Sequence, residues 1–110
     1  MKLFKGKLVA CLGLLFCGIV SADPWSGNAT INTLYPTTDG LTFMTSYVNT
    51  ELSLCDGGKR FKIAKTHPNY DVMVSTMISA FMSGKEISFN IESGQQPSCA
   101  PAINRFLLSK

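Results

Sequence analysis

The sequence predicts a small, mostly β domain with one helix, in the order β-β-β-α-β-β and closed by one disulfide. Three observations predict it. Apolar residues fall at every second position in several short runs, the period of a half-buried strand. In one segment only, residues 70–81, they fall every three or four places, the period of a helix. And beyond a leader-like N-terminus just two cysteines remain, Cys55 and Cys99, one on each side of the helical segment.

The elements follow in order. In "SGNATINTLYP" Ala29 and Ile31 alternate with Thr30 and Asn32, which reads as a strand over 29–35 stopped by Pro36. "TTDG" is a turn, since Asp39-Gly40 accepts the positive φ angles of a tight hairpin. A second strand spans 41–49, with Leu41, Phe43, Thr45 and Tyr47 on one face. Asp56-Gly57-Gly58 makes the next turn. A third strand then carries Phe61 and Ile63 inward, and Lys59 shares the Phe61 face. Arg60 and Lys62 point the other way, as an ordinary solvated face.

The helix starts after Pro68, with Asn69 as cap and Asp71 at the positive end. Tyr70, Met73, Val74, Met77, Ile78 and Phe81 form its apolar stripe; Ser75, Thr76, Ser79 and Ser83 take much of the other side. Met82 falls beside the stripe. Gly84 is the left-handed stop, with Lys85 near the negative end. Ile87, Phe89 and Ile91 then face a core, and Ser88, Asn90 and Glu92 face out. After the polar loop "SGQQPSCAP", residues 102–108 form the last strand, with Ile103 in the core and Arg105 exposed. Three strands, a helix and two strands is the linear order of a five-stranded OB-like barrel whose helix plugs one end. A flat antiparallel sheet with the helix on one face has the same order. The barrel is the expected fold.

The N-terminus reads as a secretory signal peptide over residues 1–22. Lys2, Lys5 and Lys7 precede an apolar run from Leu8 to Val20, too short to span a bilayer as a helix, and Val20-Ser21-Ala22 offers the small residues a signal peptidase reads. Cleavage leaves a single domain of residues 23–110, secreted or periplasmic, with no stable membrane insertion. The chain's formal charge of +3 equals the charge of those three lysines, so the mature domain is neutral. That argues against nucleic acid as a partner, because counterion release needs several clustered cations. A Cys55–Cys99 disulfide closes a loop of about 45 residues, worth roughly 4 kcal/mol in the chain-entropy model.

The helix-to-strand passage resembles the binding subunits of pentameric bacterial toxins, of the subtilase-cytotoxin and typhoid-toxin type, and related small exported proteins. The matching residues are Trp25 and Gly27, then Phe81, Ser83-Gly84-Lys85, Ile87 with Phe89, and Cys99 after that strand. The chain is shorter than those subunits, and none of their sugar-contacting residues is carried over. The resemblance implies an OB fold and binding rather than catalysis, with self-association into a ring of copies.

No constellation carries chemistry. His67 is the single histidine, and beside Pro68 it reads as part of the helix entry. Two cysteines and one histidine have no metal-ligand spacing. Phosphate-binding glycine loops are absent. The expectation is therefore a non-enzyme without cofactor or metal. The candidate binding surface is Trp25, Tyr35 and Tyr47, aromatics that can stack on a sugar or a protein partner. The alternative is a small monomeric periplasmic accessory or structural protein with no ligand of its own.

Overall fold

A computed structural model describes residues 25–110, so the signal-peptide reading of residues 1–22 lies outside the described residues. Within them the fold is mostly β with one α-helix. Strands β1 (Ile31–Thr37), β2 (Gly40–Thr45) and β3 (Arg60–Ala64) form an antiparallel three-stranded sheet in that order. Helix α1 (Tyr70–Ser83) follows. Strands β4 (Ile87–Ile91) and β5 (Ile103–Leu108) pair antiparallel as a second sheet. The five strands are thus divided between two sheets, where the sequence suggested one closed barrel.

Backbone contacts join the two sheets. Ala29 and Ile87 exchange both N–H···O bonds, at 2.8 and 2.9 Å, and the Ser26 N–H donates to the Phe89 carbonyl at 2.8 Å. On the other side the Lys62 N–H donates to the Pro101 carbonyl at 2.9 Å, in a parallel bridge between Lys62 and Ala102. The core lies between the sheets. Phe43, Phe61 and Phe89 are fully buried and mutually in contact, with ring centroids 5.0–6.3 Å apart. Ile63, Ile87, Ile91 and Ile103 surround them, and α1 contributes Met73, Met77 and Ala80.

Four local departures from the sequence reading have physical causes. β1 runs through Pro36 to Thr37 instead of ending at residue 35. It is the edge strand of its sheet, and an edge leaves one side of the chain without a ladder, so the missing N–H is tolerated there. β2 ends at Thr45, not at 49. The Thr45 hydroxyl accepts the Tyr47 N–H at 3.0 Å, a side-chain turn that lifts the chain out of the sheet. On α1 the buried row is Met73, Met77 and Ala80, and Ile78 is 43% exposed. Residues 73, 77 and 80 lie one above another, while 78 is about 100° round the helix from 77. Finally, Asn90 is buried although its alternation faces outward. It stands between Trp25 and Arg105, whose guanidinium carbon is 5.3 Å from the indole centroid, so the two larger side chains close over it.

The glycine stop behaves as expected. Gly84 has φ 70°, its N–H donates to the Phe81 carbonyl, and the Lys85 N–H donates to the Ala80 carbonyl. These are the two bonds of a Schellman cap. Gly40 is the stricter position. Its φ is 141°, and a Cβ there would lie 2.1 Å from the Ile63 carbonyl oxygen. Gly40→Ala is expected to destabilise the domain by about 1–3 kcal/mol or more through backbone strain, read as a lowered urea midpoint. A midpoint equal to wild type would mean that the hairpin is not held in this conformation.

The Cys55–Cys99 disulfide is formed, with Cα atoms 4.7 Å apart. It links the β2–β3 connection to the β4–β5 connection. Beside it the Leu54 N–H donates to the Ser98 carbonyl, and the Ser98 N–H to the Leu52 carbonyl. Among the described residues no helix is long and apolar enough to cross a membrane.

Candidate functional site

The hairpin turn sets the register of the first sheet. Thr37 pairs with Gly40, hence Tyr35 with Thr42, and β3 adds Lys62 opposite Thr42. Leu41 and Phe43 face the core, so the row Tyr35–Thr42–Lys62 crosses the opposite face. Thr42 is nevertheless buried at 4% exposure, because Tyr35 and Lys62 rise on either side of it. Tyr35 itself is 46% exposed. The result is a groove of about 320 Å³, with Thr42 at its floor and Ser98, Cys99 and Ala100 as one wall. Asp39, from the hairpin turn, also lines it.

Arg60 is two residues from Lys62 on the same face. Its Nε donates to the Asp56 carboxylate at 2.6 Å, and its guanidinium carbon lies 5.8 Å from the Tyr35 ring centroid. The salt bridge is partly exposed and worth about 0–1 kcal/mol, so its consequence is orientation rather than stability. Asp56 holds the guanidinium beside the ring. The groove thus offers an aromatic surface, guanidinium and ammonium donors, hydroxyls and one carboxylate. Groups of these kinds are the ones that stack on and hydrogen-bond to a hydroxylated or polar ligand.

The three aromatics named by the sequence have three different settings. Tyr35 lines the groove. Trp25 is 41% exposed, on the second sheet, bridged to Asn90 and covered on one side by Arg105. Tyr47 is half-buried, its ring 5.9 Å from Phe61 and 5.6 Å from Phe89, and its hydroxyl accepts from Asn49 Nδ2. It extends the core's aromatic cluster. Arg60 and Lys62, read from the sequence as a solvated face, are the groove residues that reading missed. Their alternation shows only that both point away from the core; a bulge between Ile31 and Thr33, which no local pattern announces, brings Tyr35 onto the same face.

His67 lies in a separate cleft of about 410 Å³ that Glu92, Ser93 and Asn104 also line. Its Nδ1 accepts the Asn69 N–H at 2.9 Å, so Nε2 carries the proton and donates to the Asn104 carbonyl at 2.8 Å. That carbonyl is presented by a bulge, where Asn90 pairs with Arg105 and Ile91 with Ile103. Asn69, expected to cap the helix by its side chain, makes no such bond, and its own N–H is held by the imidazole. Both ring nitrogens are therefore engaged with backbone. His67→Ala is expected to cost about 1 kcal/mol of stability, measured by urea unfolding. A variant as stable as wild type would show that the imidazole does not hold the helix entry. Among the described residues no group of three His, Cys, Asp or Glu is placed to hold a metal.

Compared with known proteins, the chain matches no family model, no curated protein and no solved structure.

Proposed function

We propose that this chain is an exported, non-catalytic binding protein whose Tyr35 groove recognises a glycan or a protein. One observation carries the reading: an exposed tyrosine, a fixed guanidinium and a lysine are gathered around a buried threonine in one groove. The disulfide supports export, since such bonds persist in oxidising compartments. The joints between the sheets support an OB-like barrel. Ala29 couples the segment just before β1 to β4, and Lys62 couples β3 to the approach of β5. A partly open five-stranded barrel closes through those two pairings. This is also the architecture that the toxin-subunit resemblance implies, with assembly into a ring of copies. Catalysis has no support in the groove, and the neutral charge of residues 23–110 gives none to nucleic-acid binding.

The test uses the purified oxidised protein, residues 23–110, on an immobilised panel of oligosaccharides and on extracellular protein extracts, with its mass read by light scattering. Saturable binding to a panel member supports the proposal, and a ring-sized mass supports the toxin-like assembly. A monomer that binds nothing would overturn it in favour of a small periplasmic accessory protein without a ligand.

A further inference from the structure

We propose that the Cys55–Cys99 disulfide is a redox latch on the Tyr35 groove, which a dithiol reductant opens while the core stays folded. This rests on the groove being the binding site. Cys99 is exposed and lies in the groove wall between Ser98 and Ala100. Cys55 is half-buried and immediately precedes Asp56, the carboxylate that holds Arg60 beside Tyr35. One covalent bond therefore joins the wall of the groove to the residue that aims its guanidinium.

The two loops depend on this bond unequally. On the Cys55 side, Asn49 Oδ1 accepts the N–H groups of Glu51 and Leu52, the Asn49 N–H donates to the Gly58 carbonyl, and Ser53 Oγ donates to the Arg60 carbonyl. That loop is held by its own bonds. On the Cys99 side the base is the better-fixed part, with Pro101 buried and its carbonyl accepting the Lys62 N–H. The Gln95 amide donates to the carbonyls of Glu92 and Ala102 and accepts the Ala102 N–H. The tip, residues 96–100, has the disulfide and the two backbone bonds of Ser98. None of the fully buried residues of the hydrophobic core belongs to either loop; Tyr47 and Leu52 of the first loop pack against it, and the second loop contributes nothing to it.

The chemistry balances with an external dithiol. Its thiolate attacks Sγ of Cys99, the more exposed residue, and Cys55 leaves as a thiolate that takes up a proton. The second thiol of the reductant resolves the mixed disulfide, giving two protein thiols and one oxidised reductant. The freed tip then moves away from Lys62 and Tyr35, and the preorganised wall is lost.

The experiment is amide hydrogen exchange on the domain before and after dithiothreitol at low temperature, together with the same oligosaccharide panel. The expected result is loss of protection at Ser98 and Leu54, with protection kept at Phe43, Phe61 and Phe89, and a fall in panel binding of about tenfold or more. Unchanged exchange at Ser98 would overturn the latch, and so would simultaneous loss of protection through the core. The rate of reduction at increasing urea gives a second reading that does not need a stable reduced form. A rate insensitive to low urea supports local attack on an exposed bond, and a rate rising as steeply as global unfolding overturns it. If the oxidised protein binds nothing, the binding proposal fails, while exchange and reduction rates still decide the latch.

Discussion

Replacing both Cys55 and Cys99 by serine is expected to lower stability by about 4 kcal/mol and the thermal midpoint by roughly 20 °C. The bond ties residues 44 apart in sequence, so its removal returns a large closed loop to the unfolded chain. A domain of this size has a total stability of about 5–15 kcal/mol, so the reduced form stays folded in the cold and approaches unfolding near physiological temperature. Differential scanning calorimetry of the oxidised protein and the double variant reads the shift. A midpoint lowered by only a degree or two would mean that the backbone bonds at Ser98 already carry the constraint. A variant unfolded at every temperature would mean that the sheets cannot hold together without the bond, and the local opening argued for the groove wall would go with it.

The second large effect is expected at Phe89. Phe89→Ala removes the ring that touches Phe43, Phe61 and Tyr47, at centroid distances of 5.5, 5.0 and 5.6 Å. Phe89 sits on β4, while its three partners belong to β2, to β3 and to the chain just after β2. It is therefore the main apolar joint between the two sheets. The expected cost is about 3–5 kcal/mol, the lost transfer energy plus a cavity that β strands on both sides cannot close. Phe89→Leu keeps most of the volume and is expected to cost under about 2 kcal/mol. Urea unfolding followed by circular dichroism separates the two. Equal, small losses in both variants would show that the sheets are not packed through this ring.

Much of this fold is legible in the sequence because its periods are clean. Phe61 with Ile63, and Ile87 with Phe89 and Ile91, alternate inward as their spacing demands. Gly84 ends the helix because the Schellman bonds need a left-handed residue there. What escapes the sequence depends on neighbours far along the chain. Pro36 stops a strand only when both edges must pair, and nothing local says that β1 is an edge. Asn90 looks solvent-facing until Trp25 and Arg105 arrive from other segments to cover it. Asn69 is a good capping residue, but its backbone, at φ −112° and ψ 30°, is outside the extended region of an N-cap, and its side chain makes no cap bond.

The site was half visible for the same reason. The Thr37–Gly40 turn fixes Tyr35 opposite Thr42, a pairing that can be counted outward once Thr38 and Asp39 are its two central residues. Lys62 opposite Thr42 cannot be counted, because the connection from residue 46 to 59 is irregular and its length does not set a register. Nor does any pattern announce that the β4–β5 loop returns to wall the groove; the cysteine spacing says only that two loops meet. Tyr47 illustrates the opposite case. Its alternation with Phe43 and Thr45 puts it on the inward face, and the ring packs there on Phe61 and Phe89 although the strand ends at Thr45, so it does not line the groove.

The central claim is that the Tyr35 face is where this protein binds, and one comparison tests it most directly. Wild type, Tyr35→Ala and Trp25→Ala are titrated against the oligosaccharide or protein that wild type retains. Because Tyr35 is exposed, its truncation leaves the fold intact. The account predicts at least about a tenfold loss of affinity for Tyr35→Ala, or 1.4 kcal/mol, with Trp25→Ala close to wild type. Loss confined to Trp25→Ala, with Tyr35→Ala unchanged, would move the site to the outer face of the second sheet and contradict the account.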